Sequence, residues 1–115
     1  MAKQIKTKSI SVIEKEGTFT SFFKKKSDKK ETEIAKLRQL LTNEKARLLH
    51  VAKTKKPESI YKLAKLLGRD FKAVRHDIKL LEEYGIIELT SSHKQGRERI
   101  RPIVDADRLV VTIDL

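Results

Sequence analysis

The amino-acid sequence predicts an α+β fold in which a helix-turn-helix leads into a β-hairpin. Apolar residues recur with the spacing of one helix face at Ile60, Leu63, Ala64 and Leu67. Gly68 breaks this pattern before a second amphipathic segment begins, which is typical of two helices joined by a tight turn. Strand-like residues follow from Ile86, and the polar stretch SSHKQG separates them from an arginine-rich strand. Helices followed by paired strands place the chain in the α+β class.

The second helix of the pair, predicted over residues 71–84, has one apolar face and one basic face. Asp70 can cap its first free amides, and Gly85 is a natural stop. The apolar stripe consists of Val74, Ile78 and Leu81. Burial of that stripe exposes a basic face made of Lys72, Arg75, His76 and Lys79. A cationic face rich in hydrogen-bond donors suits a helix that lies in a DNA major groove.

Individual roles follow from positions on this helix. Lys72, Arg75 and His76 are the candidate base-reading residues, while Arg69 and Lys79 are better placed for phosphates. Asp77 lies at the edge of the apolar stripe, and its predicted role is a structural ion pair with a nearby Arg or Lys. Phe71 is predicted to pack against the turn and the preceding helix.

Two further helices and two caps are predicted on the N-terminal side. Residues 31–41 form a helix whose apolar face is made of Ile34, Leu37, Leu40 and Leu41. Residues 44–53 form the next helix, which Thr42 or Asn43 can cap. Its predicted inward residues are Ala46 and Leu49, with Leu48 and Val51 as further candidates. Ser59 is the expected cap of the helix that starts the helix-turn-helix.

Strands are predicted at both ends and after the helices. Residues 4–14 alternate in part, and residues 108–115 alternate clearly, so the two are natural partners in one subunit or across a dimer. Ile86, Ile87 and Leu89 begin the hairpin, and Ile100 and Ile103 would face the same core. Residues 91–97 are the expected turn, with Gly96 at positive φ. Pro102 is expected at a strand end or an exposed edge.

The hairpin carries a second group of basic candidates, namely His93, Lys94, Arg97, Arg99 and Arg101. The last three alternate on its outward side, where arginines can reach a narrow minor groove or simply keep a surface hydrated. Lysines in residues 24–30 form either a solvated loop or an arm that contacts phosphates. Phe19, Phe22 and Phe23 are better explained as anchors on a core or partner than as base-stacking platforms.

Three stretches carry a family resemblance: LTNEKARLLHVAK, PESIYKLAKLLGRDFKAVRHDIKLLEEYGIIEL and GRERIRPIVD. They resemble the winged helix-turn-helix regulators of prokaryotes, and most closely the small MarR/ArsR-type members. The resemblance implies a three-helix core with a β-wing that contacts DNA, and an N-terminal helix that builds a dimer interface. The expected organisation is 1–41 for dimerisation, 42–104 for DNA binding, and 105–115 as a C-terminal strand.

Composition narrows the classes of function. A chain of 115 residues is expected to form one domain, and its net charge of +11 favours a polyanionic partner. The absence of cysteine excludes disulfides and thiolate metal sites. No apolar run approaches the roughly 20 residues that span a bilayer and no secretory signal is seen, so a cytoplasmic location is expected. No glycine-rich phosphate loop or histidine–carboxylate cluster is present, so neither an enzyme, a cofactor nor a metal is predicted.

The leading hypothesis is a sequence-specific regulator of transcription that binds double-stranded DNA as a homodimer, with repression as the simplest mechanism. Two alternatives come from other classes. One is an antitoxin-like protein that binds a partner protein, such as a toxin, and autoregulates its operon. The other is an architectural protein that binds nucleic acid without sequence preference.

Overall fold

A computed structural model describes residues 4–15, 18–21 and 33–115, and these residues form two compact units. The first unit contains the described residues up to Thr42 together with Ala106–Leu115, and the second is Asn43–Asp105. The C-terminal strand returns to the N-terminal strand, so the two ends of the chain build a sheet of their own. The single domain expected from chain length stays a prediction.

The elements are, in chain order, β1 (Thr7–Lys15), β2 (Thr18–Ser21), α1 (Glu33–Leu40), α2 (Asn43–Lys55), α3 (Ile60–Leu67), α4 (Phe71–Glu83), β3 (Glu88–Lys94), β4 (Arg97–Ile103) and β5 (Arg108–Asp114). The α+β class predicted from the sequence is thus confirmed. The predicted N-terminal strand is β1, displaced by a few residues, whereas β2 was not predicted.

The described sheet of the first unit has the strand order β2-β1-β5. β1 runs antiparallel to β2 and parallel to β5, with Ile10 opposite Val111. The backbone amide of Lys6 donates to Asp107 Oδ2 at 3.0 Å, and the amide of Asp107 donates to the Lys6 carbonyl at 2.7 Å. Pairing of the two terminal strands, predicted without choosing between one subunit and two, occurs within one chain.

The core of the first unit includes the middle strand and helix α1. Ile10 and Val12 of β1 are 0% and 1% exposed, and Leu37 and Leu40 of α1 are also buried. Leu41 was predicted on the same apolar face but is 55% exposed. The helix ends at Leu40, so Leu41 lies beyond the last turn and leaves that face.

Several N-terminal predictions fall outside what the structure describes. Phe22, Phe23 and the lysine-rich run 24–30 lie outside the described residues, as do residues 31 and 32 of the predicted helix. Phe19 belongs to β2, and only its backbone is described.

Helices α3 and α4 form where their caps and apolar faces predict them. Ser59 Oγ accepts from the amide of Lys62 at 3.1 Å, and Asp70 Oδ2 accepts from the amide of Lys72 at 3.0 Å. Gly68 ends α3 with φ 67°, a left-handed conformation that glycine adopts without steric cost. The predicted apolar stripes are confirmed as the core of the second unit, since Leu63, Val74, Ile78 and Leu81 are all 0% exposed.

Helix α2 buries a face that differs in part from the predicted one. The predicted candidate Leu48 is buried, as are Lys45 and Ala52, whereas Ala46 is exposed and Leu49 is only half-buried. The cause is an ion pair, because Lys45 Nζ lies 3.5 Å from Asp77 Oδ1. A lysine with a buried partner can occupy an inward position that a search for apolar residues assigns to solvent.

The hairpin is longer and its turn tighter than predicted. β3 and β4 pair antiparallel from Glu88↔Ile103 to Lys94↔Arg97, so most of residues 91–97 belong to the strands. The turn consists of Gln95 and Gly96 at φ 54° and 76°, a pair of positive φ values typical of a two-residue hairpin turn. The positive φ predicted at Gly96 is confirmed, and the predicted length of the turn is wrong.

Pro102 was predicted at a strand end or an exposed edge, and it is the next-to-last residue of β4, where its side chain is buried opposite Leu89. In the described part of the chain β4 pairs with β3 alone, so a missing N–H can be accommodated on its open side. Ile100 and Ile103 are half-buried, and the buried Ile86 and Ile87 precede β3.

Candidate functional site

A groove of about 700 Å³ lies within the second unit, between α3 and α4 on one side and the β3–β4 hairpin on the other. Its apolar lining is Ile60, Tyr61, Phe71, Ile78, Leu89 and Ile100. Charged residues from both sides complete the lining, which therefore combines apolar and charged residues. Pockets of this size and composition are common ligand sites in proteins.

Four cationic residues from two distant parts of the sequence meet at this groove. Arg75 and Lys79 come from successive turns of α4, and Arg97 and Arg99 come from alternate positions of β4. Alternate residues of a strand lie on one face, so both arginines share one face of the hairpin, whereas Glu98 and Ile100, which also line the groove, share the other. Basic residues of the helix and of the hairpin therefore both contribute to the lining.

Two carboxylates share the groove with the four cations. Glu82 follows Lys79 on α4, and Glu98 lies between the two arginines of β4. Ser91 Oγ donates to Glu98 Oε2 at 2.6 Å, which fixes that carboxylate against the neighbouring strand. The lining thus contains four basic and two acidic residues, an excess that favours an anionic ligand.

An aromatic pair lines the helical side of the groove. The rings of Tyr61 and Phe71 lie with centroids 6.4 Å apart and planes tilted by 48°, and Lys65 Nζ lies 5.2 Å from the centre of the Tyr61 ring. Phe71 thus contacts the preceding helix, as its position predicted. Tyr61 was not singled out from the sequence, although an aromatic residue on the outward face of a predicted helix was a usable signal.

The remaining basic residues of α4 are exposed but lie outside the groove lining. Lys72 and His76 are exposed on the helix, as the apolar stripe predicted, while Arg75 and Lys79 are both exposed and part of the groove. The helix therefore presents two adjoining sets of donors, one toward the hairpin and one away from it.

Asp77 is the centre of a cluster of charges beneath the exposed face of α4. Arg69 Nη1 donates to Asp77 Oδ2 at 2.8 Å, and Lys45 Nζ lies 3.5 Å from Asp77 Oδ1. The predicted ion pair is confirmed, with two cations instead of one. Arg69 was predicted to contact phosphates, but the structure directs its guanidinium to Asp77. The cluster links α2, the α3–α4 turn and α4, and so fixes the orientation of α4.

Two of the other predicted hairpin residues do not line the groove. His93 is exposed and pairs with Glu98 across the hairpin, and Arg101 is exposed opposite Thr90. Lys94 pairs with Arg97 at the end of β3, and only its backbone is described. The structure thus groups Arg97 and Arg99 with the helix, but not His93 or Arg101.

The described residues contain neither a metal-binding cluster nor a membrane-spanning helix. Among residues 4–15, 18–21 and 33–115, no three His, Asp or Glu side chains are grouped so that they could hold a metal ion. In the same part of the chain, no helix is long and apolar enough to cross a membrane.

Comparison with known proteins identifies a family but no activity. The family model HVO_A0114 matches residues 40–111, which is more than half of the 115 residues, and the match includes the whole groove. No curated protein matches the chain. The resemblance to MarR/ArsR-type regulators stays a prediction. The chain belongs to the HVO_A0114 family.

Proposed function

We propose that this member of the HVO_A0114 family is a sequence-specific, double-stranded DNA-binding regulator of transcription that acts as a homodimer. In this proposal the second unit is a winged helix-turn-helix. Helices α3 and α4 form the helix-turn-helix, α2 completes the three-helix core, and the β3–β4 hairpin is the wing. The order of the elements and the tight turn at Gly68 support this assignment.

The observation that carries the proposal is the convergence of Arg75 and Lys79 with Arg97 and Arg99 on one groove. A helix that enters the major groove has the phosphate backbone along its sides, and a hairpin beside the helix can reach that backbone or the minor groove. Cations on both elements are therefore placed to neutralise phosphates on either side of an inserted helix. The net charge of +11 supports the same partner.

Base reading is assigned to the exposed face near the start of α4. Lys72, Arg75 and His76 are all exposed there, and the groove-binding helix of this fold contacts bases through its N-terminal part. Lys and Arg donate to guanine O6 and N7, and His can donate or accept. The charge cluster at Asp77 would hold these side chains in one orientation relative to the core.

The test is selection from a pool of randomised duplexes at two salt concentrations, followed by sequencing of the bound fraction. Enrichment of an inverted repeat is the expected result, because a two-fold dimer presents two equivalent helices. Strong salt sensitivity without enrichment would overturn sequence reading and favour the architectural alternative. Absence of binding at both salt concentrations would overturn DNA binding and favour a protein partner, as in the antitoxin alternative.

Substitution of Lys72 or His76 by alanine is expected to relax specificity at one base pair. The loss of discrimination should be about 1–3 kcal/mol, because one set of donors to a base edge disappears. Competition binding with single-base variants of the selected site measures it. Lys55→Ala is the matched control, since it removes a charge from an exposed position of α2. Unchanged preference in both α4 variants would show that this helix does not read bases.

Arg99→Ala is expected to weaken binding to all sequences equally. Loss of one phosphate contact should lower the slope of log K against log salt by about 1. Titrations of a selected and a scrambled duplex over a range of salt measure this slope. Arg38→Ala, which removes an exposed arginine from α1, should leave it unchanged. An unaltered slope in the Arg99 variant would place the hairpin away from the phosphates.

A further inference from the structure

β5 forms one edge of the sheet in the first unit. Among the described residues the strand order is β2-β1-β5, so one side of β5 has no neighbouring strand. An open edge presents backbone N–H and C=O groups that another strand can pair with. β5 has no bulge, proline or lysine along its seven residues, although these are the usual means of blocking an edge. The edge is thus open to pairing.

The apolar face of the sheet extends to this edge, where its side chains are more exposed to solvent than in the middle strand. In the parallel pairing Ile10 lies opposite Val111 and Val12 opposite Ile113, so these four side chains share one face. Ile10 and Val12 are 0% and 1% exposed, whereas Ile113 is 44% exposed. Apolar area at the edge would be removed from water if the sheet continued beyond β5.

The sequence of β5, RLVVTID, is complementary to itself when a second copy runs antiparallel about Val111. In that register Arg108 lies opposite Asp114 of the second copy, Leu109 opposite Ile113, and Val110 opposite Thr112. Opposite residues of antiparallel strands lie on the same face, so apolar residues meet apolar ones and two ion pairs form. Neither Arg108 nor Asp114 makes an ion pair within the part of the chain that the structure describes.

Other registers lose this complementarity. A shift that centres the pairing on Val110 or Thr112 keeps the two faces but separates Arg108 from Asp114. A shift by one residue places Leu109, Val111 and Ile113 opposite the polar face, which interrupts the apolar layer. The ion pairs and the apolar pattern therefore favour the same register, and both favour β5 of a second copy as the partner strand.

We propose that β5 pairs antiparallel with β5 of a second copy of this chain and joins the two sheets across a two-fold axis. The inference rests on the homodimer of the proposed function and supplies its interface. It does not depend on DNA, because the groove residues are in the other unit. In a two-fold interface every contact between two positions occurs twice, so the pair of Arg108 with Asp114 would form two ion pairs.

The test is sedimentation of the full chain without nucleic acid, using the charge reversals Arg108→Asp and Asp114→Arg. Each single variant places two like-charged pairs across the interface, and we expect its dimer dissociation constant to rise about tenfold or more. Arg108→Asp lowers the net charge and Asp114→Arg raises it. If net charge alone governed dimerisation, the dissociation constants of the two variants would therefore shift in opposite directions. The double variant keeps the net charge of +11 and restores both ion pairs, so we expect it to dimerise like the natural protein.

Mixing the two single variants provides a second and stricter test of the interface. Equimolar Arg108→Asp and Asp114→Arg variants should form a heterodimer, because each of its two cross-strand pairs again joins opposite charges. Lys55→Asp, the same change of charge at an exposed position of α2, is the control and should sediment like the natural protein. Circular dichroism establishes that every variant is folded.

A monomeric natural protein, or single reversals that dimerise unchanged, would overturn the β5 interface. Those results leave the selected DNA sequences of the natural protein as they are, so they do not bear on the groove. Conversely, failure to select any duplex, together with rescue of dimerisation by the double reversal, would overturn DNA binding and retain the interface.

Discussion

Asp77→Ala is expected to lower the free energy of unfolding of the second unit by about 3 kcal/mol, because it leaves two largely buried cations without their carboxylate. The side chains of Lys45 and Asp77 are each 10% exposed and that of Arg69 is 21% exposed. Removal of one member of a buried ion cluster costs far more than loss of a surface pair, since the remaining charges stay desolvated.

Urea unfolding, monitored by tyrosine fluorescence, measures this loss of stability in the second unit. The chain has two tyrosines and no tryptophan, and both Tyr61 and Tyr84 lie in the second unit. Glu82→Ala removes a carboxylate from an exposed position of the same helix and should change stability by no more than about 0.5 kcal/mol. A cost below about 1 kcal/mol for Asp77→Ala would mean that water already solvates the cluster.

Leu63→Ala is expected to destabilise the second unit by about 3–4 kcal/mol, through lost burial and the cavity left behind. Leu63 is 0% exposed, at the point where α3 faces the rest of the core. Leu66 provides a matched control, because it is the same residue type on the same helix and is 47% exposed. Leu66→Ala should cost less than about 1 kcal/mol in the same urea experiment. Similar losses for the two variants would contradict the buried face assigned to α3.

Predictions from the sequence succeeded for features that depend only on interactions between residues close together in the chain. Ser59 and Asp70 cap α3 and α4 because a short side chain can reach the first free amides. Gly68 marks the turn because few other residues adopt positive φ at low cost. The stripe of Val74, Ile78 and Leu81 follows from helical periodicity alone. None of these features depends on what the rest of the chain does.

Predictions from the sequence failed where the position of a side chain depends on a residue that is distant in the sequence. The inward position of Lys45 depends on Asp77, which lies two helices further along the chain, so apolar periodicity missed Lys45 and assigned Ala46 to the core, although it included Leu48. Arg69 turns toward Asp77 for the same reason. Basic residues were recognised separately on the helix and the hairpin, but only the fold shows that Arg75 and Arg99 line one groove. Tyr61 lies on the outward face of α3, and its place in that groove depends on how the hairpin packs beside the helix.

The parallel pairing of β1 with β5 has a consequence for the order of folding. The amide of Lys6 bonds to the side chain of Asp107, 101 residues away, whereas the second unit is built from the continuous segment Asn43–Asp105. Contacts of such large separation form more slowly than contacts within a contiguous segment. The helices and hairpin of the second unit can therefore form before β1 and β5 pair. The edge strand that we assign to self-association is then completed last, so dimers assemble from chains whose second unit is already folded.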